Sequence, residues 1–233
     1  MENLLKYSSS GGLPIFKIKG SKYIILAKRS DDANTNPGSH SGFFGWADNE
    51  SESLDPDSIT RRELLEEILI ASKDQEKAYN LVFKSKDVCK QNNITKTLIN
   101  LWNKEKRFNI KKDNIISIDP FSTEKVEFIE PSGRTKIFIL EFDLDKFDLD
   151  FDNMYLFDGE TKKDLPEPKG LLDRELDVFN LFDFKKWWND CTIATLNATV
   201  SYKAGNQEIT KGSIDRKTKN KISPTLVLTL NKW

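Results

Sequence analysis

Three glutamates, Glu63, Glu66 and Glu67, crowd into five positions of the stretch "RRELLEEIL" at residues 61–69, directly behind Arg62. On a helix, carboxylates at i, i+3 and i+4 lie within about one turn of each other, so they can converge on a hard divalent cation that prefers oxygen ligands. Like charges this close repel. A bridging Mg²⁺ or Mn²⁺ would neutralise them, activate a water and polarise a phosphorus under attack. Taken alone, the same residues also read as the solvated face of an ordinary charged helix, so the surrounding elements have to decide.

The helix itself is well signalled. Asp57 or Ser58 supplies a capping oxygen, and Arg62 to Ala71 are mostly good helix formers. Ile59, Leu64, Leu65 and Ile68 recur at three- and four-residue spacing as a buried stripe, which sets the three glutamates on the opposite face. Upstream, "LPIFKIKGSKYIILAKRS" reads as two strands joined at Gly20-Ser21, "DDANTNPGSHSG" as a loop, "FFGWA" as a short apolar stretch and "DNESESLDP" as an acidic loop. Downstream, the pattern predicts a strand within 77–84, an amphipathic helix over 93–108 with Ile94, Leu98, Leu101 and Trp102 inward, and strands in "NIISI", "EKVEFIEP" and "TKIFILEFDLD" with a turn at Ser132-Gly133. The alternation slips phase at Lys146, as at a bulge or strand end. Residues 171–190 read as a third helical region, and "NATVSYKAGNQEITKG" with "SPTLVLTL" as a hairpin or strand pair.

Residues 42–70, "GFFGWADNESESLDPDSITRRELLEEILI", resemble the Nudix box, whose usual form is G-x5-E-x7-R-E-U-x-E-E-x-G-U with U aliphatic. Arg62-Glu63-Leu64-Leu65-Glu66-Glu67 matches the R-E-U-x-E-E core without a gap, Gly45 resembles the box glycine and Glu52 its isolated glutamate. Nine residues separate Glu52 from Arg62 where the pattern has seven, and six separate Gly45 from Glu52 where it has five. Leu69 stands where the family has the glycine that ends the helix, so the helix is expected to run on through Ala71 and turn near Ser72. Outside the box the resemblance follows, more loosely, the order of elements from 13 to 190.

The resemblance implies an α/β fold, a Nudix-like α/β/α sandwich around a mixed β-sheet, here with a C-terminal β appendage. The expected organisation is a flexible lead-in at 1–12, a hydrolase domain at 13–190 and a C-terminal β-hairpin extension at 191–233. It implies a metal-dependent hydrolase that cleaves the pyrophosphate bond of a nucleoside diphosphate linked to another moiety. Glu63, Glu66 and Glu67 would be metal ligands, with Glu67 or Glu63 also receiving a proton from the attacking water. Arg62 would orient the glutamates, and Glu52 would order the loop or complete the metal shell. The cofactor would be Mg²⁺ or Mn²⁺ and the partner a nucleotide-derivative substrate. A catalytic base from a later loop is a further option, for which Glu127, Glu130 and Glu160 are candidates. The alternative is a catalytically idle member of the same fold that senses a nucleotide or binds a protein.

Around the box, Gly45, Phe44, Trp46 and His40 are the candidate substrate contacts. Phe43, Phe44 and Trp46 read first as core, and alternation would point Phe44 and Trp46 to one side. His40 is the only histidine and reads as a surface loop residue or one that faces substrate; as the only one, it removes any second histidine for a zinc site. "GSHSG" has histidine where a nucleophile elbow needs serine, and neither a P-loop nor a dinucleotide fingerprint is present. "DLDKFDLDFDN" lacks the glycine and closing glutamate of a calcium loop and reads as a strand with a wet face.

Composition excludes several classes. The chain has 233 residues, 37% hydrophobic and 31% charged, as in a globular protein with a sizeable core. Its apolar runs are far short of the roughly 20 residues that cross a bilayer, so no membrane partner is expected. With 36 basic and 37 acidic side chains it has no overall field to gather nucleic acid in bulk. Lys211, Arg216, Lys217, Lys219 and Lys221 form a local basic cluster that reads as a solvated loop. No secretion signal opens the chain, and Cys89 and Cys191 are too few for a disulfide framework, which suits a reducing cytoplasm. A homodimer is compatible with the sequence.

Overall fold

The computed structural model describes residues 6–29, 36–72, 77–84, 114–158, 175–190, 195–197, 200–203, 206–209, 213–215 and 222–233. Residues 85–113, with Cys89 and the helix expected over 93–108, lie outside the described residues, as do Glu160, Cys191 and the basic cluster from Lys211 to Lys221.

Strand β1 (Tyr7–Ile18) is the axis of the molecule. It is apolar on both faces because both are covered: Leu13 and Ile15 enter one core, Phe16 and Ile18 the other. It begins inside the segment read as a loose lead-in. Its partners are β2 (Ser21–Lys28), antiparallel across the tight turn at Lys19-Gly20, and, further along the chain, β9 (Gly133–Asp143), parallel. β3 (His40–Ser41) adds to β2 and β4 (Phe43–Trp46) to the start of β1. Then come α1 (Glu50–Leu54), where an acidic loop was expected, and α2 (Pro56–Glu67).

Helix α2 does not run on through Ala71. It stops at Glu67, and β5 (Ile68–Ser72) follows without a linker, Ile68 already in extended conformation. β-branched Ile68 and Ile70 alternate into the core at a period of two, and β5 gains ladders from β6 (Ala78–Leu81) and β10 (Met154–Asp158), which outweigh helix propensity. β7 (Ile115–Ile118) completes this four-stranded sheet.

β8 (Ser122–Glu130) hairpins onto β9, whose end at Asp143 passes into a 3-10 turn, Leu144–Phe147; the aspartate-rich run is thus a strand end and turns, not a wet-faced strand. Residues 171–190, expected as helix, are in their described part strand β11 (Glu175–Asn180) followed by α3 (Leu181–Asn189), with Asn180 capping the helix by accepting from the Phe182 and Asp183 amides. β11 joins β2, so Leu176 and Val178 enter one core and Phe179 the other. Beyond 190, β12 (Thr195–Asn197) pairs with β15 (Ser213–Asp215), while β13 (Val200–Lys203) and β14 (Asn206–Ile209) extend the main sheet from β11.

The last element corrects the strand expected in "SPTLVLTL": Pro224–Lys232 is a helix, α4. Ser223 caps it, Pro224 occupies its first turn, and Leu226, Thr229 and Leu230 form its buried stripe.

The result is an α/β sandwich built on a mixed nine-stranded sheet. One core lies between that sheet, α2 and the four-stranded sheet; the other lies under α3 and α4, where Phe184 packs between Phe179 and Trp187. Among the described residues no helix is long and apolar enough to cross a membrane.

Candidate active site

Helix α2 lies on β1 because β1 has no side chain to hold it off: a Cβ on Gly12 would come within 2.9 Å of Leu64 Cδ2. Ser10 Oγ and Thr60 Oγ1, both buried, share a hydrogen bond of 2.8 Å beside it. Ile59, Leu64 and Leu65 are in the core as the stripe requires. The glutamates do not share an open face opposite them. Glu63 and Glu67 are 6% and 8% exposed, and only Glu66 opens partly to solvent; at Glu63 the cover is β4, whose Gly45 lies against the carboxylate. The helix start also differs from the expectation: Asp55 stands at the N-cap position without a side-chain cap bond, Pro56 opens the first turn, and Asp57 instead pairs with Lys84.

Arg62 holds the centre of the cluster. Its Nε donates to Glu52 Oε1 at 3.1 Å, its Nη1 to Glu63 Oε1 at 2.5 Å and Glu66 Oε2 at 3.4 Å, and its Nη2 to the Trp46 carbonyl at 2.7 Å and Glu52 Oε2 at 3.2 Å. Asp48 Oδ2 lies 3.5 Å from Nε. Glu52 is delivered by α1, whose cap Asn49 accepts from the Glu52 amide while Glu52 accepts from the Asp48 amide. The two extra residues between Glu52 and Arg62 are thus accommodated by a short helix. Asp48 and Asn49 were not singled out from the sequence; the signal available was an asparagine three residues ahead of a glutamate.

Burial drives the electrostatics. Desolvation pushes the Glu63 carboxyl up to about 7, against the pull of Arg62 and with a further push from Glu66. Burial also works against ionisation of Glu52, but the hydrogen bonds from Arg62 and the Asp48 amide outweigh it and hold that carboxyl below its usual value. Burial likewise disfavours the charge on Arg62, yet Glu52, Glu63 and Glu66 hold its proton more tightly than usual.

Gly45 touches a carboxylate rather than open space: a Cβ there would lie 1.8 Å from Glu63 Oε1. Since the position of Gly45 faces α2, strand alternation sends Phe44 and Trp46 to the other face of the sheet, where Phe44 packs against the second core. Trp46 is 61% exposed there. The expected aromatic contacts are therefore not on the face that carries the glutamates.

His40 is neither at the surface nor in an open site. It is 1% exposed, bonds Asp177 on β11, which is fully buried, and stands edge-on to Phe179. Glu127 pairs with Arg134, and Glu130 accepts from Thr135 and Thr225, so both candidate bases of the β8 strand are engaged away from the cluster.

The groups around Arg62 are all oxygen, carboxylates and the Trp46 carbonyl, the set that hard divalent cations take. Among the described residues no three His, Cys, Asp or Glu side chains are gathered as a bound ion would require, Arg62 holding the position between them.

No family model matches the chain, and no curated protein does. Among solved structures it is similar to a C. elegans Ap4A hydrolase in a binary complex, at 14% identity over 78% of this chain and 86% of that one, with a TM-score of 0.34. It is also similar to the Nudix hydrolase RenU from M. smegmatis, at 9% identity over 65% and 70% of the two chains and a TM-score of 0.28. A third such structure is a Nudix hydrolase from Alicyclobacillus acidocaldarius, at 10% identity, 60% and 69% coverage and a TM-score of 0.25. At these identities and TM-scores the likenesses assign neither activity nor substrate to this chain.

Proposed function

We propose that this protein is a metal-dependent hydrolase that cleaves the pyrophosphate bond of a nucleoside diphosphate linked to another moiety. The observation that carries the reading is the gathering of Asp48, Glu52, Glu63 and Glu66 around the single guanidinium of Arg62, on the segment whose residues resemble the Nudix box. Four carboxylates face one built-in cation, and Glu63, pushed up to about 7, registers the excess of negative charge and the burial. The residues present fit a divalent cation by donor chemistry, and Glu63, Glu66 and Glu67, with Glu52, would hold it. When bound, Mg²⁺ or Mn²⁺ would neutralise a diphosphate and activate a water.

The chain's own residues divide the remaining work. Arg62 fixes the orientation of Glu52 and Glu63 and, through the Trp46 carbonyl, the end of β4. Glu63 or Glu67, both shielded from solvent, would receive the proton of the attacking water. A nucleotide derivative in a reducing cytoplasm would be the substrate and setting.

A second reading, a catalytically idle nucleotide sensor or protein-binding module, is favoured by one observation: Arg62 already occupies the middle of the carboxylates. The deciding experiment is release of nucleoside monophosphate from a panel of nucleoside diphosphate derivatives with Mg²⁺ and with Mn²⁺, comparing wild type with Glu66→Gln and Glu67→Gln. Metal-dependent release that falls by orders of magnitude in the variants supports the hydrolase. Binding of nucleotide without turnover by wild type supports the sensor, and absence of both sinks the two readings together.

A further inference from the structure

Strand β4 carries Gly45 against the Glu63 carboxylate and offers the Trp46 carbonyl to Arg62, yet it is only four residues long and has a single ladder, to β1. Such a strand is weakly held by its own hydrogen bonds, so what else fixes it matters to the site.

Two hydrogen-bonded routes reach it from the first turn of α4. The first runs along the face of the sheet that α4 covers. Thr225 Oγ1 donates to Glu130 Oε1 at 3.0 Å, Thr135 Oγ1 donates to Glu130 Oε2 at 2.8 Å, and Thr135 shares a 2.7 Å hydroxyl bond with Ser9. Ser9 is the residue of β1 directly opposite Trp46. Thr135 is fully buried and Ser9 nearly so, so water does not compete for the bond between them, while the two bonds to Glu130 are half-buried.

The second route enters from the other end. The Ser223 amide donates to the His40 carbonyl at 2.9 Å and Ser223 Oγ to Ser41 Oγ at 3.2 Å, while the His40 ring is bound to the buried Asp177 carboxylate. His40 and Ser41 form β3, one residue ahead of β4, and that residue, Gly42, has the Phe44 ring where a Cβ would stand, 2.2 Å from Cζ. The segment from His40 to Trp46 is thus pinned at both ends by the helix that begins at Pro224.

We propose that Ser223, Thr225 and Glu130 are positioning residues for the candidate active site: by docking its first turn, α4 sets β4, and β4 sets the Glu63–Arg62 pair. This rests on the reading of the glutamates as a metal site, and the test separates the two. Two variants of the full chain, built from nearly isosteric changes, supply it. Ser41→Ala with Thr225→Val cuts one side-chain bond on each route. Thr229→Val removes a hydroxyl of the same helix whose bond, to the Thr225 carbonyl, lies on neither route.

Two readouts are taken: the backbone amide resonances of Gly45 and Trp46 in metal-free protein, and the affinity for Mn²⁺ alone by electron paramagnetic resonance. The double variant is expected to shift both resonances and to weaken Mn²⁺ binding by about five-fold, while Thr229→Val moves neither. Unmoved resonances in the double variant, or equal effects in both proteins in proportion to lost thermal stability, overturn the proposal. If wild type takes up no Mn²⁺, the metal reading falls and the two amide resonances still decide the positioning role. Thr225→Val alone gives the same comparison should the double variant fail to fold.

Discussion

Gly45→Ala places one methyl group where the Glu63 carboxylate now lies. The new carbon would stand 1.8 Å from Oε1, 2.1 Å from Cδ and 2.6 Å from Oε2. Real Cβ contacts essentially never fall under 3.0 Å, so Oε1 has to retreat by at least 1.2 Å, the difference between 3.0 and 1.8. That retreat is enough to disrupt the 2.5 Å bond from Arg62 Nη1, a charge-assisted bond of a kind worth roughly 1.5–3 kcal/mol. Gly45 is not among the residues with positive φ, so alanine fits its backbone and recovers about 0.5–1 kcal/mol of chain entropy. The net expectation is a loss of about 1–2 kcal/mol in urea unfolding with EDTA present, accompanied by weaker Mn²⁺ binding. The pairing is checked by a double-mutant cycle: with Glu63 shortened to alanine, the change at position 45 should cost nothing. Unchanged stability for Gly45→Ala in the wild-type background, or the same penalty with Glu63 removed, would refute the argument that this glycine exists to seat that carboxylate.

Arg62→Lys keeps the charge and loses the planar fork that reaches Glu52, Glu63 and the Trp46 carbonyl at once; urea unfolding should show a loss of about 2–4 kcal/mol, and wild-type stability would show that the fork is dispensable. Glu63, raised to about 7 chiefly by burial, keeps a proton in the folded state that the unfolded chain releases near pH 4.5. Metal-free protein should therefore lose stability as pH rises from about 4.5 to 7, by at most about 3 kcal/mol, and Glu63→Gln should flatten that slope in melts across the same window; identical slopes would count against it. Leu64→Ala removes the side chain that fills the space over Gly12 and should cost about 2–5 kcal/mol with an unchanged denaturant slope, whereas a loss under 1 kcal/mol would mean that α2 is not seated by that contact.

Elements whose pattern is local were legible in the sequence. The β8–β9 hairpin at Ser132-Gly133, the β1–β2 turn at Gly20 and the core stripe Ile59, Leu64, Leu65 follow from alternation, turn chemistry and helical spacing. What was not legible depends on partners distant in the chain. Nothing near Ile68 says that β6 and β10 will pair with the strand that starts there, so the helix looked longer than it is. His40 reads as a loop residue because the Asp177 that buries it lies 137 positions away. The helix at Pro224 is a different case: the run of Thr, Leu and Val is strand-like, and the helix is started by the Ser223 cap and by Pro224 in its first turn, which are local features. In the site, Arg62 and its glutamates were legible as a group, but the covering of Glu63 and Glu67 was not, since the helix alone would leave that face to water and at Glu63 the cover is Gly45 of β4, from another element.

That covering bears on function. A helix that served only to fill the core would gain by carrying apolar residues at positions 63 and 67, because a buried carboxylate loses hydration that one guanidinium restores only in part. At Glu63 burial pushes the carboxyl up to about 7 although Arg62 touches it. The surrounding structure over-determines the arrangement all the same: Gly45 makes room for the carboxylate, Arg62 is bonded to β4 and α1 as well as to its own helix, and Ile59, Leu64 and Leu65 hold α2 down from the other side. Several elements thus cooperate to keep a local charge imbalance that stability alone would remove. A polyvalent cation, or the positive groups of a ligand, would relieve it, which is why removing the charge of Glu63 should stabilise the empty protein and disable the loaded one.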